Sequence, residues 1–218
     1  KDNEKSVPIK PITFWIENTT PYELRPIIKN AVLAWNIAFE EAGFIDAIEV
    51  KIQPDDADWS AGDIRYNVLR WTSSPNPPFG GYGPSFTNPR TGEILGADIM
   101  LEWIYLTNRV RYSEIFENLE NSYNDFCHNS TLKQENRIFG KLATEALDLN
   151  ENEIGRLYEE DLYQLILHEV GHTLGLNHNF AASTLHNNSD IHNPEITYKE
   201  GLSSSVMDYH ALNIAPLG

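Results

Sequence analysis

The sequence predicts an α+β fold, and three observations support this class. Strand-like segments dominate the first part of the chain, a long amphipathic helix lies among them, and a second long helix occurs late. The chain has 218 residues, of which 41% are hydrophobic, and these are enough for one packed core. Because no repeat or low-complexity linker divides the chain, we expect a single domain over residues 1–218.

The first half of the chain contains three predicted strands and the first long helix. Residues 11–17 (PITFWIE) mix β-branched and aromatic side chains, which predicts the first strand. Residues 20–23 (TPYE) form a capping box, and apolar residues then recur every three or four positions, as in a helix that ends at a Gly43 cap. The patterns of residues 48–53 and 64–71 predict the second and third strands.

A hairpin is predicted after residues 73–84, which are rich in proline and glycine and should be irregular. The two strands of the hairpin are Tyr82 to Thr87 and Glu93 to Glu102. The turn between them is formed by residues 88–92 (NPRTG).

The second long helix is predicted over Glu159 to Leu174, where acidic residues lie near the positive end of the helix dipole. Before it, residues 104–156 are polar and show no periodicity that places an element. After Gly175 the chain is predicted to be loop-like to its end.

Charge and composition exclude several classes of protein. The net charge of −16 should repel phosphate backbones, so a nucleic-acid partner is not expected. No apolar stretch approaches the roughly 20 residues of a membrane span. The single cysteine, Cys127, cannot form an internal disulfide or a cysteine-ligated metal site. It is expected to be a small buried or half-buried residue, with a role in latency as the alternative. Because the chain starts at Lys1 without a signal segment, we expect a mature or excised piece.

The segment HEVGHTLGLNH begins at His168 and carries a candidate metal site. His168 and His172 are four residues apart, so both imidazoles project from one face of the helix and can reach one tetrahedral zinc. Gly175 tolerates a positive φ, and beyond it His178 can fold back as the third ligand. Glu169 is rotated by about 100° from His168 and can reach a metal-bound water from the side. An open fourth position is typical of a catalytic zinc.

The motif is specific. A shuffled sequence of this composition would contain all five of these residues at these spacings in roughly 4 of 100,000 cases. The alternative is that the histidines belong to an ordinary amphipathic helix. The spacing and the predicted helix favour a metal site.

HEVGHTLGLNH is similar to the extended zinc signature of the metzincin metallopeptidases, and residues 205–209 (SVMDY) resemble their Met-turn. The segments GPSFTNPRTGEILGADI and HEVGHTLGLNHNFAAS extend the resemblance to the bacterial Met-zincin type. The resemblance implies a metzincin-like catalytic domain with a mixed twisted sheet, two long helices and two lobes, which divide near residue 175. The C-terminal lobe, about 176–218, would be small and loop-rich. It would lack the usual C-terminal helix, which a separate C-terminal chain or partner subunit could supply.

The resemblance also implies roles for residues beyond the zinc ligands. Met207 would form a hydrophobic floor beneath the three imidazoles without binding zinc. Tyr209 would hydrogen-bond the oxyanion of the transition state, with a structural phenol as the alternative. Asn179, directly after the third histidine, differs from the residues that mark the matrixins, adamalysins and astacins, so the subfamily stays open.

Metzincins bind an extended peptide along an edge strand above the zinc, which predicts such a strand here. An ordinary solvent-facing edge is the alternative. The candidate edge consists of Gly81, Tyr82, Gly83, Pro84, Ser85 and Phe86. Side-chain preference would come from a pocket lined by residues such as 211–216, and the acidic balance favours cationic or neutral peptides.

The resemblance therefore predicts a secreted zinc endopeptidase that acts on protein or peptide substrates. Zinc held by three neutral imidazoles would lower the pKa of its bound water toward about 7. Glu169 would take the proton as general base and later deliver it to the leaving amine. The alternative is a catalytically silent, metzincin-derived protein-binding module or toxin subunit, although such a protein would normally lose Glu169 or a ligand. A thermolysin-like site is disfavoured because His178 stands at the metzincin spacing.

Two other groups could hold a metal. Asp55 to Asp58 could bind a structural calcium ion, although such a run is more often a solvated acidic turn. Asp190 and His192 could hold a second metal together with His186, although a solvated loop is the commoner structure.

Overall fold

A single sheet forms the centre of the described structure. The computed structural model describes residues 5–74, 81–102, 151–210 and 213, and for 151–158 it describes the backbone alone. The strands of the sheet are β1 (Ile12–Ile16), β2 (Ile48–Ile52), β3 (Asn67–Thr72), β4 (Gly81–Tyr82), β5 (Ser85–Thr87) and β6 (Ile94–Glu102). Their order across the sheet is β2-β1-β3-β6-β4, and β5 also pairs with β6.

The sheet is mostly parallel. The β1 strand runs parallel to both β2 and β3, and β3 runs parallel to β6. The β4 and β5 strands run antiparallel to β6, so they form an antiparallel edge on an otherwise parallel sheet. The predicted hairpin is confirmed, because the amide of Asn88 donates to the carbonyl of Glu93 and Gly92 has a φ of +75°.

Helices pack on one face of the sheet and complete the core. The long helices are α1 (Arg25–Glu41) and α2 (Glu151–Thr173), which pack against each other, and a short third helix is α3 (Pro194–Glu200). This mixture of three described helices and a mostly parallel sheet is consistent with the predicted α+β class. The core between the sheet and the long helices consists of Phe14, Ile16, Ile28, Ala31, Val32, Ile48, Leu69, Ile99, Leu101, Leu162, Leu165, Ile166 and Val170.

The start of α1 differs from the prediction. The helix begins at Arg25, and the predicted capping box of residues 20–23 precedes it as a turn. The reason is Pro26, which lacks an amide N–H and restricts the residue before it, so it belongs in the first helical turn. The predicted C-terminal cap is confirmed, since Gly43 follows the helix with a φ of +97°.

Two other predicted boundaries also shift. The β3 strand begins at Asn67 and not at Ile64, because Asp63 and Arg65 form a local turn. In that turn the Asp63 carboxylate accepts from both the amide and the guanidinium of Arg65. The α2 helix begins at Glu151, which extends it into a segment where the sequence places no element.

The sequence analysis predicted a loop-like chain after Gly175, and this prediction was wrong for part of the segment. It contains a 3₁₀ helix, Phe180–Thr184, and the α3 helix. The side chain of Asn193 caps α3 by accepting from the amide of Glu195 at 3.0 Å, and proline follows it in the first turn. This cap and proline are the sequence signal that was missed. None of the described helices combines the length and the apolar composition that a membrane span requires.

Candidate metal centre

Helix α2 carries two of the predicted ligands and the predicted base. His168 and His172 lie one turn apart near its C-terminal end, and Glu169 follows His168 directly. The helix ends at Thr173, and Gly175 has a φ of +91°, which residues with a side chain rarely adopt. The chain therefore leaves the helix at the predicted glycine.

Three imidazoles converge beyond this turn. One ring nitrogen of each of His168, His172 and His178 lies within 4.8 Å of those of the other two. Nε2 of His172 is 3.1 Å from Nε2 of His178. A tetrahedral zinc with Zn–N bonds of about 2.0–2.1 Å needs nitrogen atoms roughly 3.3 Å apart, so the three rings could hold the ion with small adjustments.

Backbone carbonyls orient two of the rings. Nδ1 of His168 is 2.8 Å from the carbonyl oxygen of Val206, and Nδ1 of His172 is 2.9 Å from that of Leu176. Because a carbonyl oxygen can only accept, each Nδ1 carries the proton and each Nε2 presents a lone pair. This is the tautomer that binds a metal through Nε2, and the carbonyl contact also limits rotation of the ring.

The surroundings of His172 favour its neutral form. His168 is fully buried. Burial lowers the pKa of His172 below its ordinary value, and the bond to the Leu176 carbonyl offsets part of this effect. Since only the neutral imidazole can bind a metal, this environment favours ligation over protonation. Three neutral nitrogen donors are a set that zinc accepts readily.

Met207 packs against the turn of α2 that carries the ligands. Its side chain is 2% exposed, and its sulfur occupies the space that a β-carbon on Gly171 would need. The ring of Trp35, from α1, would lie 3.1 Å from the same β-carbon. The indole N–H of Trp35 donates to the carbonyl of Leu167 at 3.1 Å. Gly171 therefore leaves room for a sulfur on one side and an indole on the other.

Tyr209 lies beside the ligand nitrogens. Its hydroxyl is 2.7 Å from Nε2 of His178, and its ring centroid is 4.5 Å from that of His178. The segment before it is held in place, because the amide of Asn179 donates to the carbonyl of Met207 at 2.9 Å. The Met-turn is thus linked to the loop that carries the third histidine.

The predicted edge strand lies against the helical turn of Glu169, whose side chain is fully buried. A β-carbon on Gly83 would be 2.5 Å from the carbonyl oxygen of Glu169. A β-carbon on Gly81 would be 3.1 Å from the side chain of Leu165, one turn earlier in α2. The structure thus brings Gly83 next to the backbone of the predicted base and Gly81 next to the preceding turn of the same helix.

The other candidate metal groups lie away from this centre. The acidic side chains of Asp55 to Asp58 are on an exposed turn. His186 reaches the carbonyl of Gly201 through Nε2 at 2.8 Å, and Asp190 accepts from the amide group of Asn187 at 2.7 Å. Within the described residues, the trio His168, His172 and His178 is the one group whose geometry could hold a metal ion.

Two of the sequence-based predictions concern residues outside the described part of the chain. Cys127 is one of these residues. The other is the proposed specificity pocket at 211–216, of which the structure describes Asn213 alone.

Several residues of the centre were not found by sequence analysis. Trp35 contacts α2 across a large sequence separation, and its position in the apolar stripe of α1 gives no sign of that contact. Val206 and Leu176 contribute backbone carbonyls, which any residue could provide. Gly171 did offer a signal, because a glycine inside a helix indicates that another group approaches closely.

Comparison with known proteins supports a metzincin-type protein. Residues 150–218 match the family model described as Met-zincin, and this stretch contains the three histidines, Glu169 and Met207. No curated protein and no solved structure gave a significant match. The metzincin resemblance is therefore confirmed over the part of the chain that carries the site.

Proposed function

We propose that this protein is a zinc-dependent endopeptidase of the metzincin type, which acts as a single catalytic domain on proteins outside the cell. The observation that carries the proposal is the convergence of His168, His172 and His178, with the buried Glu169 in the same helical turn as the first ligand. The Met-zincin match over residues 150–218 supports it. The extracellular location follows from the family resemblance.

The chemistry divides between the ion and the protein. His168, His172 and His178 would hold a zinc ion, which would supply Lewis acidity for the scissile carbonyl and for the attacking water at neutral pH. Glu169 would accept the proton of the attacking water on a carboxylate oxygen and later deliver it to the leaving amine. Its position directly after His168 supports this role, because it places Glu169 in the helical turn that carries the first ligand.

Tyr209 would assist at the scissile carbonyl. The position of its hydroxyl, 2.7 Å from Nε2 of His178, supports this role because it lies at the candidate metal centre. Once Nε2 of His178 holds the zinc ion, the phenol O–H would turn from that nitrogen and donate to the oxyanion of the tetrahedral intermediate. Met207, packed below the ligand turn, would keep that turn in place without taking part in the reaction.

A peptide substrate would lie along residues 81–86. The β4 strand ends the described strand order, and its β6 side is already paired. An extended peptide could therefore add to its other side through backbone hydrogen bonds. Since the chain carries a net charge of −16, cationic and neutral peptides should be preferred at low salt.

Metal removal and restoration test the proposal. The purified protein is stripped with a chelator, dialysed and given one equivalent of zinc, and cleavage of a quenched peptide library is followed before and after. We expect hydrolysis to disappear with the metal and to return with zinc but not with magnesium. Protein that binds one zinc and still cleaves no peptide in the library would contradict the proposal and favour the silent binding module.

A further inference from the structure

The sheet has a gap at the start of β3. The first residue of β3, Asn67, is opposite Phe14 of β1, and the next residue is opposite Asp98 of β6. Both flanking strands run parallel to β3 and extend past its start, β1 by residues 12–13 and β6 by residues 94–97. Within the described residues, no strand lies between these two extensions. We call the space between them the β3 gap.

A cavity of about 610 Å³ opens in the β3 gap, a volume typical of sites that bury a small ligand. Successive side chains of a strand point to opposite faces of the sheet. On the helix side the cavity is lined by Phe14, Phe39 and Leu174, which pack with the core. On the other side it is lined by Trp15 and Tyr66, whose ring centroids are 6.0 Å apart. An occupant would therefore meet an aliphatic and aromatic wall on one side and two aromatic rings on the other.

Two backbone amides face the gap from opposite sides. Successive residues of a strand direct their N–H and C=O groups to alternate sides. The amide of Ile12 donates toward β2, and that of Asp98 donates toward the β5 side of β6. The amides of the neighbouring residues Thr13 and Ala97 therefore face the gap.

These two amides are unused donors. In the part of the chain that the structure describes, neither the Thr13 nor the Ala97 amide has a hydrogen-bond acceptor. Ala97 is 3% exposed, and a buried N–H without an acceptor costs about 1–3 kcal/mol. The carbonyl of Thr13 already accepts from the side chain of Asn67 at 2.9 Å. The gap thus offers donors on both sides, and an extended backbone can accept from both because its successive carbonyls point in opposite directions.

The lining of the gap is basic although the whole chain is acidic. Lys10, Lys51 and Arg65 line the cavity, and none of the described side chains that line it is an aspartate or a glutamate. Glu49 pairs with Lys51 and Asp63 pairs with Arg65, whereas Lys10 forms no ion pair with any described residue. This local excess of positive charge favours an acidic occupant.

The positive charge lies on one side of the gap. The ammonium group of Lys51 is 5.7 Å from the ring centroid of Trp15, and the guanidinium group of Arg65 is 5.7 Å from that of Tyr66. Both rings belong to the side away from the helices. Acidic side chains of an occupant therefore belong on this side, and apolar side chains belong on the helix side.

We propose that the β3 gap binds an extended segment of a partner protein in which apolar and acidic residues alternate. The segment lies as an additional short strand between β1 and β6, in line with β3. Its carbonyls accept from the amides of Thr13 and Ala97. Because a strand alternates its side chains, the apolar residues pack on the helix side while the acidic residues meet the basic groups. The site uses none of the three histidines and goes beyond the proposed peptidase function.

Short blocked peptides test the pattern on the purified protein. The probe alternates valine and glutamate, because β-branched residues favour an extended backbone. One control peptide has lysine in place of each glutamate, and another has the composition of the probe with its glutamates adjacent. Calorimetry should show saturable binding of the probe at one site, with an affinity at least about tenfold above that of either control.

Reversal of one charge at the gap shows where the probe binds. Lys10→Glu should lower the affinity for the probe by about fivefold, because an attraction becomes a repulsion, and should raise the affinity for the lysine peptide. Lys29→Glu makes the same change on α1, outside the lining, and should leave both affinities within about twofold at physiological ionic strength. Both lysines are exposed, so neither substitution disturbs the core.

Amide hydrogen exchange tests the backbone pairing without any variant. A saturating concentration of the probe should slow exchange of the Thr13 and Ala97 amides by about tenfold or more, since each gains an acceptor. The amide of Ile12, which already donates toward β2, should change little. The proposal is overturned if the probe shows no saturable binding, if either control peptide binds as well, if Lys10→Glu and Lys29→Glu act alike, or if either amide stays unprotected.

Discussion

The sulfur of Met207 lies so close to Gly171, the residue directly before His172 in α2, that no side chain fits there. Trp35 closes the same space from α1. The ligand turn of α2 is thus held between a Met-turn that comes after it in the chain and a helix that comes long before it. The position of His168 and His172 depends on this packing as well as on the helix itself.

Gly171→Ala should weaken metal binding although it removes no ligand. The new methyl group must displace Met207 or Trp35, which should cost about 1–3 kcal/mol of stability. The shifted turn should lower zinc affinity by about tenfold or more. Thermal unfolding and competition with a zinc chelator measure the two effects. Gly62→Ala is the matched control, and wild-type zinc affinity in Gly171→Ala would refute the packing role.

Tyr209→Phe should reduce the rate of hydrolysis while leaving the metal in place. Loss of an oxyanion donor should lower kcat by about a hundredfold, with little change in KM or in zinc content. Steady-state kinetics with a quenched peptide and metal analysis provide the measurement. Tyr198→Phe, on the exposed side of α3, controls for the loss of a phenol elsewhere. An unchanged kcat would assign Tyr209 a structural role.

Acid should destabilise the metal-free protein through His172. Burial holds the pKa of this ring below its ordinary value of 6.5, so the folded state binds fewer protons than the unfolded state just below that pH. The stability from this group is present above pH 6.5 and should decrease as the pH falls below it. Tm measured in the presence of a chelator, from about pH 7.5 down to about pH 5, checks the trend.

The His172→Asn variant is the control for that trend. The Tm of His172→Asn should fall less between high and low pH than the Tm of the wild type. The Tm of His192→Asn, which changes an exposed histidine, should fall as much as that of the wild type. A Tm that depends on pH equally in all three proteins would show that His172 is not the responsible group.

Local patterns predicted the parts of the molecule that local physics determines. The spacing of His168 and His172 and the glycine at 175 follow from helix geometry and from the backbone freedom of glycine, and both appear in the structure. The hairpin around residues 88–92 was also predicted, because its turn residues specify it. The predicted start of α1 was wrong, because the helix begins at Arg25 with Pro26 in its first turn and not at the capping box of residues 20–23.

Long-range packing explains what the sequence did not reveal. The contact between Trp35 and α2 joins residues 132 positions apart, and no local pattern encodes it. The approach of Gly83 to Glu169 likewise depends on how the edge strand meets α2. Such contacts are set by the assembled core, so they become visible only when the elements are placed together.

The central claim is that the three histidines hold zinc while Glu169 moves the proton, and Glu169→Gln tests it most directly. Zinc content per chain and kcat are measured for the wild type, for Glu169→Gln and for Glu159→Gln, which changes an exposed glutamate of the same helix. Glu169→Gln should keep one zinc and lose about a thousandfold or more in kcat, and Glu159→Gln should match the wild type. Turnover near the wild-type level in Glu169→Gln would contradict the mechanism.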